Sequence, residues 1–356
     1  MTDYEEHEVA YGDDKKIFYL AAGPKTGNLV IFVHGWPGIA KTWYKQLEMF
    51  AALGFRVLAP DMPGYGHSSA RNVHSDYTQE NIVKGMLAVL ADAGRERALW
   101  VGHDWGSVIV WTLANTHPEA CRAVCTLCVP YGLGGTEDVL KYVDRDLYPE
   151  DRYPFGQWSY QAFYDQDYEK ATSFFDKDIH GMLKATWKKT DPASYGKPAF
   201  TSDIVRDGGW FGGAEKPPAP EDVPDEGALL PPDIFQELVA AMEKTGFGPG
   251  DAWYLHQAAN KDYIEKNAKH EGWVLKLPVL FIHARFDAVC HTVSGRLPER
   301  MRHLCENLTE AIIDSGHWVG LEKPEETNAA LVRWIVEEVT DWWPTYWNGW
   351  TKRQTK

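Results

Sequence analysis

Apolar runs and helical patterns alternate along both ends of this chain. Short, mostly apolar runs predict strands at residues 16–20, 28–33, 55–59, 98–101, 123–129, 278–283 and 308–313. Several runs are uninterrupted, as expected for strands that are covered on both faces. Helical periodicity between them predicts helices at 41–53, 80–93, 106–116, 292–302 and 324–339. This alternation predicts an α/β fold with a mostly parallel central sheet flanked by helices.

The alternation stops between residues 131 and 273. This stretch lacks strand-like runs, is rich in aromatic residues and has the pattern of helices joined by loops. We therefore expect a core formed by residues 1–130 and 274–356, the latter including the C-terminal tail, with an inserted helical cap at 131–273. Residues 215–233 carry six prolines among acidic and small residues. That composition favours an extended, solvated surface loop, with a lip over the site or a partner contact as alternatives.

The last part of the chain is also rich in aromatic residues. Residues 341–350 include five. We expect them to cover the flank of the core, and a dimer contact is the alternative. The sequence leaves open whether the protein is a monomer or a homodimer.

Charge and composition restrict the partners. The 356 residues carry a formal net charge of -15 with a pI near 5.3, which argues against a nucleic-acid surface because that would need a basic face. We find no signal-peptide pattern and no apolar run long enough for a membrane span. The sequence predicts a soluble, cytoplasmic protein.

The five cysteines do not form the pattern of a disulfide-rich secreted protein. Cys125 and Cys128 form a CxxC within a predicted strand, where residues three apart face opposite sides. They are therefore not expected to grip one ion or to form a redox pair. We predict no metal and no cofactor.

Residues 102–106, Gly-His-Asp-Trp-Gly, link a predicted strand to a predicted helix. Two glycines around one residue at such a junction are typical of a nucleophile elbow. The central residue is Asp104, where serine is commoner. A serine that attacked a saturated carbon would form an ether, whereas a carboxylate forms an ester that water can cleave. Asp104 therefore indicates an electrophilic saturated carbon, either in an epoxide or in an alkyl halide.

Freeing the enzyme from such an ester requires a base and a group that orients it. In folds built on this elbow, the acid and then the histidine follow the nucleophile along the chain. His317 follows the predicted strand 308–313, and Asp287 follows the strand 278–283, so we assign them as base and orienting acid. Asp314 is a weaker alternative, and Asp61 reads as a turn residue that binds nearby backbone donors.

An oxyanion hole is expected from backbone N–H groups. Residues 34–38, His-Gly-Trp-Pro-Gly, follow the predicted strand 28–33 and form a constrained loop. This arrangement takes one N–H from that loop and one from the residue after the nucleophile, which are Trp36 and Trp105. His34 is expected to brace the loop, and His103 has no assigned role.

These motifs, together with Gly-His-Trp at 316–318, resemble those of the α/β-hydrolase-fold epoxide hydrolases over nearly the whole chain. The resemblance implies an α/β-hydrolase fold and two cap tyrosines that bind and protonate the epoxide oxygen. Tyr160 and Tyr254 lie in segments similar to those of the family, and Tyr153, Tyr164 and Tyr263 are the alternatives. A phenol suits this task because it stays neutral until the alkoxide develops. The proline-rich segment is longer than the family pattern.

The sequence thus predicts a cofactor-independent epoxide hydrolase whose partners are a small epoxide and water. Haloalkane dehalogenases share the elbow, the oxyanion loop and the triad, so they remain the alternative. A non-catalytic ligand receptor on the same fold is a third reading, which the complete set of Asp104, Asp287 and His317 argues against.

Overall fold

The computed structural model of the protein describes residues 4–12, 14–132 and 136–344. Within them, eight strands form one sheet: β1 (Glu5–Ala10), β2 (Lys16–Ala22), β3 (Leu29–Val33), β4 (Arg56–Pro60), β5 (Ala98–His103), β6 (Cys121–Leu127), β7 (Leu275–Ala284) and β8 (Cys305–Ile313). Their spatial order is β1-β2-β4-β3-β5-β6-β7-β8. Strands β3 to β8 pair in parallel, whereas β1 with β2 and β2 with β4 pair antiparallel. The predicted mostly parallel sheet is confirmed.

The helices of three or more turns cover the sheet or lie in the insertion, and shorter ones join them. They are α1 (Tyr44–Ala52), α2 (Gln79–Asp92), α3 (Trp105–Thr116), α4 (Thr136–Val139), α5 (Ser159–Asp176), α6 (Ile179–Thr186), α7 (Ile204–Asp207), α8 (Trp210–Gly213), α9 (Pro232–Thr245), α10 (Gly248–Asp251), α11 (Gln257–Asn267), α12 (Glu299–Leu304), α13 (Val319–Glu322) and α14 (Pro324–Glu338).

Strand β3 shows how the core is divided. Leu29, Ile31 and Val33 belong to one buried cluster, and Val30 and Phe32 belong to a second. Because successive side chains of a strand point to opposite faces, the two clusters lie on the two sides of the sheet. All five residues are completely buried, which accounts for the uninterrupted apolar run.

Two elements differ from the sequence prediction. Strand β1 was not expected, because its side chains alternate between half-buried and exposed and four of its six residues are Glu or His. Such charge is typical of the edge of a sheet, where it discourages pairing with another chain. The predicted helix at 292–302 is wrong over its first half, since α12 begins only at Glu299.

All the residues between β6 and β7 that the structure describes lie outside the sheet, and they contain α4 to α11. We propose that residues 131–273 act as a cap on the core. The proline-rich segment at 215–233 is less solvated than its composition suggests. Val223, Leu229 and Leu230 are buried, and Lys184 and Lys188 donate to backbone carbonyls of the segment at 2.9 and 2.8 Å. The segment is fastened along α6 and its continuation.

The aromatic C-terminal segment is described up to residue 344, and residues 345–350 lie outside the described part. Trp342 Nε1 donates to the carbonyl of Leu29 at 3.0 Å, and Trp343 packs edge-on against Phe55 with ring centroids 5.6 Å apart. These two residues cover the flank of the core. No helix in the described ranges is both long enough and apolar enough to span a bilayer.

Candidate active site

Asp104 occupies a strained turn between β5 and α3. Its φ of 54° and ψ of -124° are values that L-residues rarely adopt. The flanking glycines are required by close packing, because a Cβ on Gly102 would lie 2.4 Å from the carbonyl oxygen of Gly106. A Cβ on Gly106 would lie 2.1 Å from the carbonyl oxygen of Val33. The turn therefore holds the Asp104 side chain at the start of α3.

Two backbone N–H groups bind the Asp104 carboxyl. The Trp36 N–H donates to Oδ1 at 2.8 Å, and the Trp105 N–H also hydrogen-bonds to this carboxyl. A Cβ on Gly35 would lie 2.4 Å from Oδ1, so only glycine lets this loop approach so closely. Burial raises the pKa of Asp104, and His317 together with the two N–H groups opposes that rise. Both donors are thus placed around the carboxyl, where an oxyanion would form.

His317 lies between two carboxylates. Its Nδ1 donates to Asp287 Oδ2 at 2.7 Å, and its Nε2 lies 3.6 Å from Asp104 Oδ2. Asp287 is itself fixed, because its Oδ1 accepts from the backbone N–H groups of Val289 and Cys290, each at 3.0 Å. The loops after β7 and β8 therefore bring acid, histidine and Asp104 into one line.

The charges in this line perturb one another. Burial alone would raise the pKa of Asp287, but the charge and hydrogen bond of His317 and the two backbone donors lower it to about 2. Burial would lower the pKa of His317, but Asp287 and Asp104 raise it to about 9. The free site thus favours an imidazolium held between two carboxylates.

The competing carboxylates lie elsewhere. Asp314 binds Arg285 Nε at 2.5 Å on the surface. Asp61 is buried in its turn and accepts from the backbone N–H groups of Ala40 and His67 at 2.7 and 2.9 Å. Neither carboxyl lies against His317 in the structure.

The two histidines beside the motifs support the loops. His34 donates from Nδ1 to the carbonyl of Gly35 at 2.9 Å and accepts at Nε2 from the N–H of Met62 at 2.9 Å. Burial lowers the pKa of His34 to about 4, so it stays neutral. His103, which had no assigned role, donates from Nε2 to the carbonyl of His317 at 2.7 Å. It therefore anchors the backbone of the histidine loop.

Tyr160 and Tyr254 line the same cavity as Asp104 and Trp105, which encloses ≈ 1000 Å³ including its open mouth. Their ring centroids are 5.8 Å apart, and the Tyr254 ring stands edge-on to Trp105 at 4.9 Å. Burial raises the pKa of both phenols well above the usual range. Both are neutral donors at physiological pH.

The alternative tyrosines occupy other places. The Tyr164 ring stacks on Tyr254 with centroids 4.7 Å apart. Tyr153 packs on Tyr148, and the Tyr263 hydroxyl lies 3.4 Å from His117 Nε2. None of the three alternatives lines the cavity around Asp104.

Asp251 is a residue of the site that the sequence reasoning missed. Its side chain is completely buried, its Oδ1 accepts from Trp36 Nε1 at 2.6 Å, and it also hydrogen-bonds to Tyr164. Burial raises its pKa well above the usual carboxyl range. It thus links the oxyanion loop of the core to the tyrosines of the insertion. A single aspartate three residues before Tyr254 offers no pattern that could have revealed this.

The insertion also touches the histidine loop. The rings of Trp187 and Trp318 are stacked with centroids 3.8 Å apart. Glu322 accepts from the backbone N–H groups of Gly316 and Thr190 at 3.0 and 3.4 Å. The segment after α6 is therefore fastened to the residues on both sides of His317.

Two groups of side chains have metal-ligating atoms within 4.8 Å of one another. One is His103, Cys128 and His317, and the other is Asp287, Cys290 and His317. The CxxC partner of Cys128 belongs to neither group. Burial raises the pKa of both thiols well above the usual range, which disfavours the thiolate that a metal needs. Each group includes the catalytic line, so an ion there would compete with it.

Comparison with known proteins agrees with this geometry. The alpha/beta hydrolase fold family matches residues 28–324. The bifunctional epoxide hydrolase 2 of Sus scrofa is 30% identical over 87% of this chain, which spans about half (52%) of that protein. Epoxide hydrolase A of Mycobacterium tuberculosis is 29% identical over 89% of this chain and 93% of its own length. The crystal structure of epoxide hydrolase A from Mycobacterium thermoresistibile is 27% identical with a TM-score of 0.74, and the match covers 94% of this chain and 99% of that one. The chain belongs to the α/β-hydrolase fold family.

Proposed function

We propose that the protein is an epoxide hydrolase that converts a small epoxide and water into a vicinal diol. Relatives named epoxide hydrolase, matched over most of both chains, support this proposal. The observation that carries it is the pair of buried, neutral phenols of Tyr160 and Tyr254 in the cavity that holds the Asp104 carboxyl. A carboxylate nucleophile that faces two proton donors suits a leaving oxygen that stays attached to the product.

In the first step, an Asp104 oxygen attacks a ring carbon and the carbon–oxygen bond of the epoxide breaks. Tyr160 and Tyr254 hydrogen-bond to the departing oxygen, and one of them supplies the proton that turns it into a hydroxyl group. Proton donation by a positioned group contributes about 10²–10⁴-fold to such a step. The product of the step is a hydroxyalkyl ester of Asp104.

In the second step, His317 takes a proton from water and the hydroxide attacks the carbonyl carbon of the ester. The oxyanion that forms accepts from the N–H groups of Trp36 and Trp105, each of which is worth about 2.7–4 kcal/mol in the barrier by analogy with other oxyanion holes. Collapse of the intermediate expels the diol oxygen and regenerates the Asp104 carboxylate. Asp287 keeps the imidazole aligned throughout.

A single turnover in ¹⁸O-labelled water tests this scheme. The label should enter the Asp104 carboxyl, detected by the mass of its peptide, and not the diol. His317→Gln should accumulate the ester as an increase in protein mass, whereas Asp104→Ala should show neither ester nor turnover. Label found only in the diol after one turnover would contradict covalent catalysis.

The tyrosines distinguish an epoxide hydrolase from a haloalkane dehalogenase. A halide leaving group needs no proton and is bound by indole or amide N–H donors, yet the Trp105 side chain hydrogen-bonds to Tyr254. Single Tyr→Phe variants should slow ring opening, and Tyr160→Phe with Tyr254→Phe should nearly stop it. Full activity of the double variant, with halide released from a bromoalkane, would support the dehalogenase instead.

The proposal includes a cytoplasmic enzyme that works as a monomer or homodimer without a cofactor. Five free, buried cysteines fit a reducing compartment. Cell fractionation and sedimentation of the purified protein test location and oligomeric state.

A further inference from the structure

The cavity that holds Asp104 has a second, polar end. Gln79 at the start of α2 and Asn260 and Lys261 on α11 line it. Between this polar end and the nucleophile the wall is largely apolar and includes Val108 and Ile264. A substrate that fills the cavity therefore meets a carboxylate and two phenols at one end, an apolar stretch, and then polar side chains.

The two amides of the polar end are both turned by internal hydrogen bonds. Gln79 Oε1 accepts from Thr112 Oγ1 at 2.8 Å, and Asn260 Oδ1 accepts from the backbone N–H of Gln79 at 2.9 Å. Both side chains are more than nine-tenths buried, at 8% and 6% exposure. Among the described residues, neither amide nitrogen has a hydrogen-bond partner. Because their oxygens are occupied, the two amides offer donors to the cavity.

Lys261 adds a positive charge at the mouth of the cavity. Its ammonium group lies 4.0 Å from Glu265 and its side chain is 64% exposed, so it remains accessible to a ligand. Among the described residues that line the cavity, Asp104 is the one carboxylate, and it lies at the opposite end. The polar end thus combines three donors in the absence of a facing carboxylate, which is the arrangement that an anionic oxygen acceptor requires.

Helix α3 gives the distance between the two ends. Asp104 immediately precedes α3 and Thr112, which holds Gln79, lies eight residues further along. At 1.5 Å per residue this corresponds to about 12 Å along the helix axis. A ligand that reaches both ends must span roughly this length.

We propose that Gln79, Asn260 and Lys261 form a subsite for a carboxylate at the far end of the substrate. The preferred substrates are then epoxides joined to a carboxylate by an apolar linker that spans about 12 Å. This inference rests on the proposed epoxide hydrolase activity and names the substrate class of that site.

The test compares three substrates of equal chain length: an epoxide with a terminal carboxylate, its methyl ester and the plain alkyl epoxide. The carboxylate should have a kcat/KM about 10-fold above that of the other two, as expected for one or two net hydrogen bonds and a screened charge. This preference should weaken as salt rises from 20 to 500 mM, roughly as Debye screening predicts. A linker series should show an optimum at the spanning length.

Variants assign the preference to the subsite. Lys261→Met should reduce it about 3-fold, whereas Lys266→Met, on the same helix but paired with Asp262 at the surface, should leave it unchanged. Asn260→Asp keeps the acceptor for the Gln79 N–H but presents an oxygen to the cavity, so it should reverse the preference. All three should hydrolyse the plain epoxide at the wild-type rate.

The outcomes separate this inference from the proposed function. Equal kcat/KM for acid, ester and plain epoxide in the wild-type protein would overturn the subsite and leave the activity intact. A preference that survives both Lys261→Met and Asn260→Asp would also overturn it, with thermal unfolding confirming that the variants are folded. Failure to hydrolyse any epoxide, the plain one included, would instead contradict the proposed function.

Discussion

Neutralising Asp104 should lower the pKa of His317. Asp104→Asn keeps the shape of the side chain and removes a charge whose oxygen lies 3.6 Å from His317 Nε2. At that distance the pair energy is about 1 kcal/mol at the dielectric constant of water and about 5 kcal/mol at an effective value of 20. With about 1.4 kcal/mol per pKa unit, the pKa of His317 should fall by about 1 to 3 units from about 9.

The measurement is an NMR titration of the imidazole in protein labelled at histidine. Asp314→Asn is the matched control, because this carboxylate lies three positions before His317 in the chain but pairs with Arg285 at the surface. It should leave the His317 titration unchanged. A pKa that stays near its wild-type value in Asp104→Asn, or that falls equally in the control, would refute the reasoning.

The same charge is lost during the proposed reaction. Formation of the ester converts the Asp104 carboxylate into a neutral group, so the pKa of His317 should drop at that moment. The imidazole becomes a base when there is an ester to hydrolyse. While Asp104 is still free and charged, His317 holds its proton and stabilises the nucleophile.

Two further predictions concern Asp251 and His34. Asp251→Leu removes the acceptor of the Trp36 indole and should slow both ester formation and ester hydrolysis by about 10- to 100-fold, measured by single-turnover kinetics; Asp251→Asn retains an acceptor and should restore most of the rate, and wild-type rates in the Leu variant would contradict the link. The pKa of His34 falls from 6.5 to about 4 on burial, so the unfolded chain binds more protons than the folded one between these values. The free energy of unfolding should therefore decrease by about 3 kcal/mol as pH falls from 6.5 to 4, and urea unfolding of His34→Gln should show a shallower dependence, whereas an unchanged slope would exclude this role.

The sequence revealed elements whose burial follows the chain's own periodicity. Strands β3 to β6 are apolar because both faces are covered, and the elbow is visible because only glycine fits at positions 102 and 106. Position relative to predicted strands also singled out Asp287 and His317, which the structure places 2.7 Å apart. Local rules of pattern and turn chemistry were sufficient for these features.

Features that depend on distant contacts were not visible. Strand β1 carries charge because it lies at an edge, which only the assembled sheet defines. Asp251 matters because folding brings it to Trp36, 215 residues away in the chain. His103 binds the carbonyl of His317, 214 residues away. No local pattern encodes such pairings, and the proline-rich segment similarly packs through the lysines of another helix.

The contacts of Trp187 with Trp318, and of Glu322 with Gly316 and Thr190, fix where reagents can pass. Lifting the cap at this seam would drag the catalytic imidazole away from its carboxylate partner and disarm the site. Traffic of reactant and diol therefore uses the opposite rim, where Lys261 stands. The cap behaves as a door hinged on the side of the base, so the groups that cleave the ester keep their alignment from one cycle to the next.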